Sequence, residues 1–322
     1  MSVPELVIKK LLNDNCLIVD GISRSGKALI APLVTNLSCV DYAQYSTTID
    51  HIPILWKLGL LNDNAAASFL RMTADIAMYE RGIGRHLNTR PTDTYSIYNS
   101  LESDKLLERA QNGEGKTIAD MFNKEGRYFS FVTHEMTPLI NLWFLALPAV
   151  RAIVIERHPV DICHSWLLRG WGDRWGTDPI AFIPAVRTTG GPVPWFAHGF
   201  KDDYNRMSPP NRIIRCVLTL FDMYEATLNS LPKSKQQQTH KIFFEKILTE
   251  PFIQLQNISN WLGRELHPNI SEALKKANIP ADVSVTKRES KLEEFRKCVD
   301  PDLFNSLCAA SIKYEKRLDL LT

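Results

Sequence analysis

The chain has 322 residues, of which 44% are apolar and 23% charged, with a net charge of +2. That length accommodates one large α/β domain or two small ones with a sizeable buried core, and the composition is ordinary for a globular enzyme. The near-neutral charge gives no support to a nucleic-acid binder, so an anionic ligand must be held by local groups and not by a global field.

In chain order, MSVPELVIKKLLNDN is a short amphipathic stretch without the apolar centre and cleavage site of a signal peptide. No window comes near eighteen uninterrupted apolar residues, so no membrane span is expected. Six cysteines (16, 39, 163, 216, 298 and 308) include no C-x-x-C pair, and Cys16 and Cys163 lie in or beside apolar runs. They read as buried, reduced thiols of a cytoplasmic protein.

Short apolar runs at Leu17–Val19, Tyr128–Val132 and Ala152–Ile155, with a fourth at Ile242–Phe244, have the length and bounding of buried parallel strands. Each precedes a helical segment: Gly26–Asn36, Pro138–Leu147, Pro159–Leu168 and Pro251–Leu262. Pro138, Pro159 and Pro251 stand where a first helical turn tolerates proline. This alternation predicts a three-layer α/β fold, a mostly parallel sheet flanked by helices in the manner of P-loop nucleotide-binding proteins. The expectation is a single domain, 1–322, with a helical insertion at about 43–125 and a Trp/Gly-rich loop at about 169–210. The loop is too irregular to predict as a core element, and both insertions suit an acceptor pocket. Its tryptophans either wall that pocket or cap the core.

The densest chemistry lies in GISRSGKA, 21–28. Gly21, Gly26 and Lys27 match the G-x-x-x-x-G-K of a nucleotide P-loop, but Ala28 stands where a Ser or Thr would hold Mg²⁺. A strand ending in glycine and turning into a helix offers free N–H groups to an anion. Arg24 and Lys27 add two cations there. The loop therefore suits a phosphate better than a magnesium nucleotide; the bland alternative is a tight turn with surface charge. GEGKT at 113–117 is a decoy, since Ala110 stands where the first glycine is required and Gly113 reads as a helix end. In ERHPVDICHSW, Arg157 follows a strand and Ser165 stands eight residues on. A guanidinium and a hydroxyl at the carboxyl edge of an open sheet make a phosphate clamp. Asp161 reads as a structural hydrogen-bonding residue, and His158, Cys163 and His164 carry no assigned chemistry.

Strand–R-x-P-x-D-x-x-x-S–helix resembles the 3′-phosphate motif of the sulfotransferases that use 3′-phosphoadenosine-5′-phosphosulfate (PAPS). Their first loop, Lys/Arg–Ser/Thr–Gly–Thr–Thr, is matched at Arg24, Ser25 and Gly26, while Lys27 and Ala28 replace the two threonines. VTHEMTP, with His134, resembles the K-T-H-x-P segment that carries the family's base, with Val132 in place of the lysine. FFEKILTEPF resembles the family's Y-E-D-L segment, and the matches span most of 16–263. The family's C-terminal R-K-G-x-x-G-D-W is absent; Lys287 and Arg288 in VTKRESK stand in for it or form a solvated charge run.

The resemblance implies sulfuryl transfer from PAPS, without a metal, to a hydroxyl or amine of a small-molecule acceptor. His134 would be the base, with Glu135 its rival, and Arg24 with Lys27 would stabilise the leaving group. Arg24, Ser25, Gly26, Lys27 and Ala28 would hold the 5′ end of the nucleotide. Arg157 and Ser165, joined by Lys287 and Arg288, would hold the 3′-phosphate. The competing readings are a P-loop kinase of small molecules and a non-catalytic nucleotide-binding protein. A homo-oligomer is left open.

Overall fold

A computed structural model describes residues 5–7, 10–113, 115, 118–283 and 285–319. The amphipathic start and the GEGKT decoy fall partly outside these residues; Gly113, which is described, closes a helix as expected. Five strands form one parallel sheet: β1 (Cys16–Gly21), β2 (Gln44–Tyr45), β3 (Phe129–Val132), β4 (Arg151–Glu156) and, after a separate hairpin of β5 (Ala185–Thr188) and β6 (Gly191–Pro194), β7 (Thr239–Phe243). The order is β2-β3-β1-β4-β7. All six residues of β1 are buried, as a strand covered on both faces requires.

Side chains alternate across the sheet and separate the layers. Leu17 and Val19 pack with α1 (Lys27–Val34) and the helix Pro251–Leu262. Cys16 and Ile18 point the other way, toward α2 (Thr47–Lys57), α3 (Asp63–Gly82) and, beyond α4 (Ser103–Asn112) and α5 (Ile118–Glu125), α6 (Ile140–Ala146). On that face α7 (Pro159–Leu167) packs with the long helix Pro209–Ser230 and the C-terminal helices Val285–Cys298 and Pro301–Asp319. The expected three-layer α/β fold is therefore the one observed. Among the described residues no helix is long and apolar enough to cross a membrane.

Three expectations are corrected. Within the helical insertion, Gln44–Tyr45 adds a strand to the sheet edge; two half-buried residues leave no apolar run to read. β7 begins at Thr239, earlier than expected, because an edge strand can be polar over its first half; Phe244 opens the following helix. The Trp/Gly-rich loop is not peripheral. It holds the β5–β6 hairpin, and Trp175, Val193, Trp195 and Phe196 are buried in the cluster that includes Trp166. Rings in edge-on contact, such as Trp166 against Trp175 at 4.9 Å, replace regular periodicity as the source of order.

Since the chain leaves β1 with β3 on one side and β4 on the other, the carboxyl ends of these strands flank the switch point of the sheet. The loops after them carry Arg24, His134 and Arg157.

Candidate active site

The loop Ile22–Gly26 turns β1 into α1. Gly26 has φ +103°, and a Cβ there would lie 2.2 Å from the Phe244 ring, so glycine answers both demands. The loop is tied from two sides: Ser23 N–H donates to Glu135 Oε1 at 2.5 Å, and Trp166 Nε1 donates to Ser23 O at 2.8 Å. Lys27 does not reach into solvent. Its side chain is buried and its ammonium donates to the Gly21 carbonyl. Burial lowers its pKa, opposed by the carboxylates of Glu135, Asp20 and Asp50. Ser25 Oγ is buried without a partner.

Arg24 has a left-handed backbone, φ +76°, uncommon for a residue with a side chain. Its Nε lies 3.1 Å from Ser165 Oγ, which also accepts from Arg169 Nη1 at 3.1 Å. Arg157 donates to Arg24 O at 2.8 Å, with its guanidinium 4.6 Å from the Phe244 ring centre. The expected convergence of Arg157, Ser165 and the first loop is therefore present, and Arg169 joins it. Burial, then repulsion by Arg169 and Arg157, pulls Arg24 below the ordinary guanidinium pKa.

Across the cavity, the loop after β3 is held from below by Asp20. This fully buried carboxylate accepts from Thr133 Oγ1 (2.9 Å), Met136 N (3.1 Å), Thr137 N (2.7 Å), Thr137 Oγ1 (2.5 Å) and Tyr224 OH (2.8 Å). Those bonds fix the turn carrying His134 and Glu135, whose φ is +55°. His134 faces Asp50, the first-turn acid of α2: its main-chain N is 3.3 Å from Oδ1 and its ring Nδ1 3.2 Å from Oδ2. Tyr45 packs edge-on against the imidazole at 4.6 Å. Burial, and then the Lys27 ammonium, hold the imidazole well below the usual histidine range, so it is neutral at pH 7. Burial raises the carboxyls of Asp50 and Glu135. Glu135 is buried, accepts from Ser23 and also lines the second of the cavities described next.

Two cavities meet here. One, of about 300 Å³, is lined by Arg24, Gly26, Lys27, Tyr95, Arg157 and Phe244. The other, of about 210 Å³, is lined by Asp50, Ile54, Arg174, Trp175, Phe182 and Trp195. Ser23, His134 and Trp171 line both. The tryptophans thus cap the core and wall a cavity at once.

The C-terminal cations depart from expectation. Arg288 is not on a solvated face; it is buried and donates to Asp161 Oδ2 at 3.0 Å and Glu245 Oε1 at 2.9 Å, while Lys291 also bonds Asp161. Two carboxylates already neutralise it, so it ties the helix Val285–Cys298 to α7 and to the helix Phe244–Thr249 that follows β7. Lys287 is exposed. Asp161 has the structural role expected of it. His158 bonds Glu315 and His164 bonds Glu294, apart from the two cavities. Sequence reading missed Asp50, Arg169 and Asp20. Only Asp20, at the end of an apolar run beside the glycine, carried a local signal.

No family model matches the chain, and no curated protein does either. Among solved structures, the chain is similar to a sulfotransferase domain from the curacin biosynthetic pathway (12% identity, 81% of this chain, 77% of that chain, TM-score 0.45). It is similar to a sulfotransferase from Mycobacterium avium (12% identity, 90% of this chain, 78% of that chain, TM-score 0.40). A third likeness is to retinol dehydratase in complex with androsterone and inactive cofactor PAP (12% identity, 92% of this chain, 70% of that chain, TM-score 0.31).

Proposed function

We propose that this chain is a sulfotransferase that uses PAPS as donor and a small-molecule alcohol, phenol or amine as acceptor. One observation carries the reading: a neutral histidine backed by a carboxylate stands in the wall common to two cavities, and one of these opens on a cationic, glycine-turned loop. The residues present suit the nucleotide. Gly26 leaves the loop backbone open to close approach, Arg24 and Arg157 line the cavity, and Phe244 and Tyr95 offer ring surface. When bound, PAPS supplies an activated sulfuryl group whose transfer leaves 3′,5′-adenosine bisphosphate.

Asp50 accepts the Nδ1 proton of His134 and leaves Nε2 as the base that takes the acceptor proton. Trp171, Trp175 and Trp195 exclude water from the acceptor side. Lys27, beneath the loop, keeps a positive charge under the donor site and, through the Gly21 carbonyl, holds the turn in shape.

The test is sulfuryl transfer from ³⁵S-labelled PAPS to a panel of phenols, alcohols and amines, with calorimetry of 3′,5′-adenosine bisphosphate in metal-free buffer. Binding of the bisphosphate and labelled product from at least one acceptor are expected. Stabilisation by Mg–ATP with no response to the bisphosphate would overturn the reading in favour of a kinase.

A further inference from the structure

We propose that the acceptor carries a protonated amine as well as the hydroxyl it offers to His134, and that Glu135 receives the ammonium while Trp171, Trp175 and Trp195 wall the ring between the two groups. Such a substrate, a small hydroxylated amine, rests on the transfer reading above and narrows its acceptor.

The two cavities differ in sign. Arg24, Lys27 and Arg157 line the donor cavity, whereas Asp50 and Glu135 line the acceptor cavity alone. One buried ammonium, that of Lys27, faces three buried carboxylates, Asp20, Asp50 and Glu135, and it donates to the Gly21 carbonyl. Asp20 is satisfied by the five donors described above, and Asp50 by the main chain and ring of His134. Glu135 is 2% exposed and its Oε1 accepts from Ser23 N–H, which leaves Oε2 to meet a ligand. Arg174 lines the same cavity, but Asp178 Oδ2 already accepts from its Nε. His51 is engaged in the same way by the Phe182 carbonyl, at 2.8 Å. Burial raises the carboxyls of Asp50 and Glu135, and a cation in the cavity would relieve the cost of holding them there ionised.

An ammonium is the cation these walls suit. Trp171, Trp175, Trp195, Phe182 and Tyr45 line the acceptor cavity; ring faces attract a desolvated ammonium and keep water from its pair with a carboxylate. At about 210 Å³ the cavity falls below the roughly 300–1,000 Å³ of sites for drug-sized ligands, so the acceptor is a small ring compound. His134 lines both cavities and Glu135, the next residue, only the acceptor side, so the ammonium lies on the side away from the donor. In the transfer, the acceptor oxygen bonds to sulfur as the bond from sulfur to the bridging oxygen of the donor breaks. That oxygen leaves with the electron pair on 3′,5′-adenosine bisphosphate, the hydroxyl proton passes to His134 Nε2, and the ammonium keeps its protons. The same signs sort the two substrates, repelling the anionic donor from the acceptor cavity and the cationic acceptor from the donor cavity.

Acceptor choice is measured with three matched phenols, tyramine, 4-ethylphenol and 4-hydroxyphenylpropionate, on the wild type and Glu135→Gln. The readouts are turnover with ³⁵S-labelled PAPS and calorimetry on protein loaded with 3′,5′-adenosine bisphosphate. The glutamine keeps an acceptor for Ser23 N–H, and melting curves check folding. The wild type should favour tyramine over 4-ethylphenol by about tenfold or more in kcat/KM and in Kd, the worth of a hydrogen bond to a charged group, and should take the propionate least. Glu135→Gln should bring the ratio of tyramine to 4-ethylphenol near one, chiefly through KM for the amine. A wild-type ratio near or below one, or a Glu135→Gln variant that keeps the wild-type ratio, would overturn the inference; if the variant does not fold, the wild-type ratio alone decides. Sulfation of 4-ethylphenol with no preference for tyramine would leave the transfer reading standing, whereas failure to bind the bisphosphate would overturn that reading instead.

Discussion

The two sides of the central cavity are built from opposite materials. On the α7 side, Arg24 and Arg169 are exposed cations held by the hydroxyl and the main-chain carbonyl of Ser165. On the β3 side, Asp20, Asp50 and Glu135 are buried carboxylates, at 0%, 4% and 2% exposure, locked to N–H and O–H donors around His134. Water lowers the cost of unpaired charge at the rim, so those arginines can wait for a ligand without much loss of stability. Burial makes every unmet bond expensive, so the carboxylate side is fixed before a ligand arrives. The first side is suited to recruitment and the second to positioning.

The contrast can be broken by mutation. The largest expected effect is on rate: His134→Ala should lower kcat by about 10²–10⁴-fold, the usual worth of a general base. It also removes the ring partner of the buried Asp50 and should lower the melting temperature, so turnover is compared below both melting points, with melting curves as the check. Equal activity in the variant would remove His134 from the chemistry. Next, two cations should differ in stability. Arg288→Ala strands Asp161 and Glu245 and should cost about 3–5 kcal/mol, whereas Arg169→Ala, at the rim, should stay within about 0.5 kcal/mol. Urea denaturation of both would measure the difference, and similar losses would erase the distinction between structural and recruitable cations. Gly26→Ala is smaller, at about 1–3 kcal/mol from the positive φ. It should also weaken nucleotide binding, because the new Cβ displaces Phe244 from the donor cavity.

The smallest effect concerns pH. The folded-state pKa of His134 is depressed, so the protein resists protonation there at pH values where the unfolded chain accepts it. The neutral base therefore persists below the ordinary histidine range, and kcat/KM should hold from neutral pH down through 6.5 before its acid limb begins. The same depression makes its contribution to stability fall as pH drops below the unfolded-state value. A pH–rate profile with an acid limb centred above pH 7 would contradict the placement of His134 against Lys27.

Much of the frame was legible because its signals are local. Apolar runs marked β1, β3 and β4 to within two residues at each end, and the helices that open at Pro159 and Pro251 followed from proline at a first turn. Gly26, Arg157 and Ser165 were legible for the same reason, since strand, turn and helix are adjacent in the chain. β2 and the first half of β7 were not, because edge strands need no apolar alternation.

What the sequence by itself determined was the order of elements, the glycine turn between β1 and α1 and the type of residue at each candidate position, all of which follow from backbone sterics and hydrophobic periodicity over a few residues. Only the tertiary structure decided which charges meet. Asp50 reaches His134 across 84 residues and Arg24 reaches Ser165 across 141. Asp161, four residues past Arg157 in the motif, is drawn away by Arg288 across 127. Such meetings depend on how α2, α7 and the C-terminal helices pack against one sheet edge, a property of the folded whole that no short window of sequence contains.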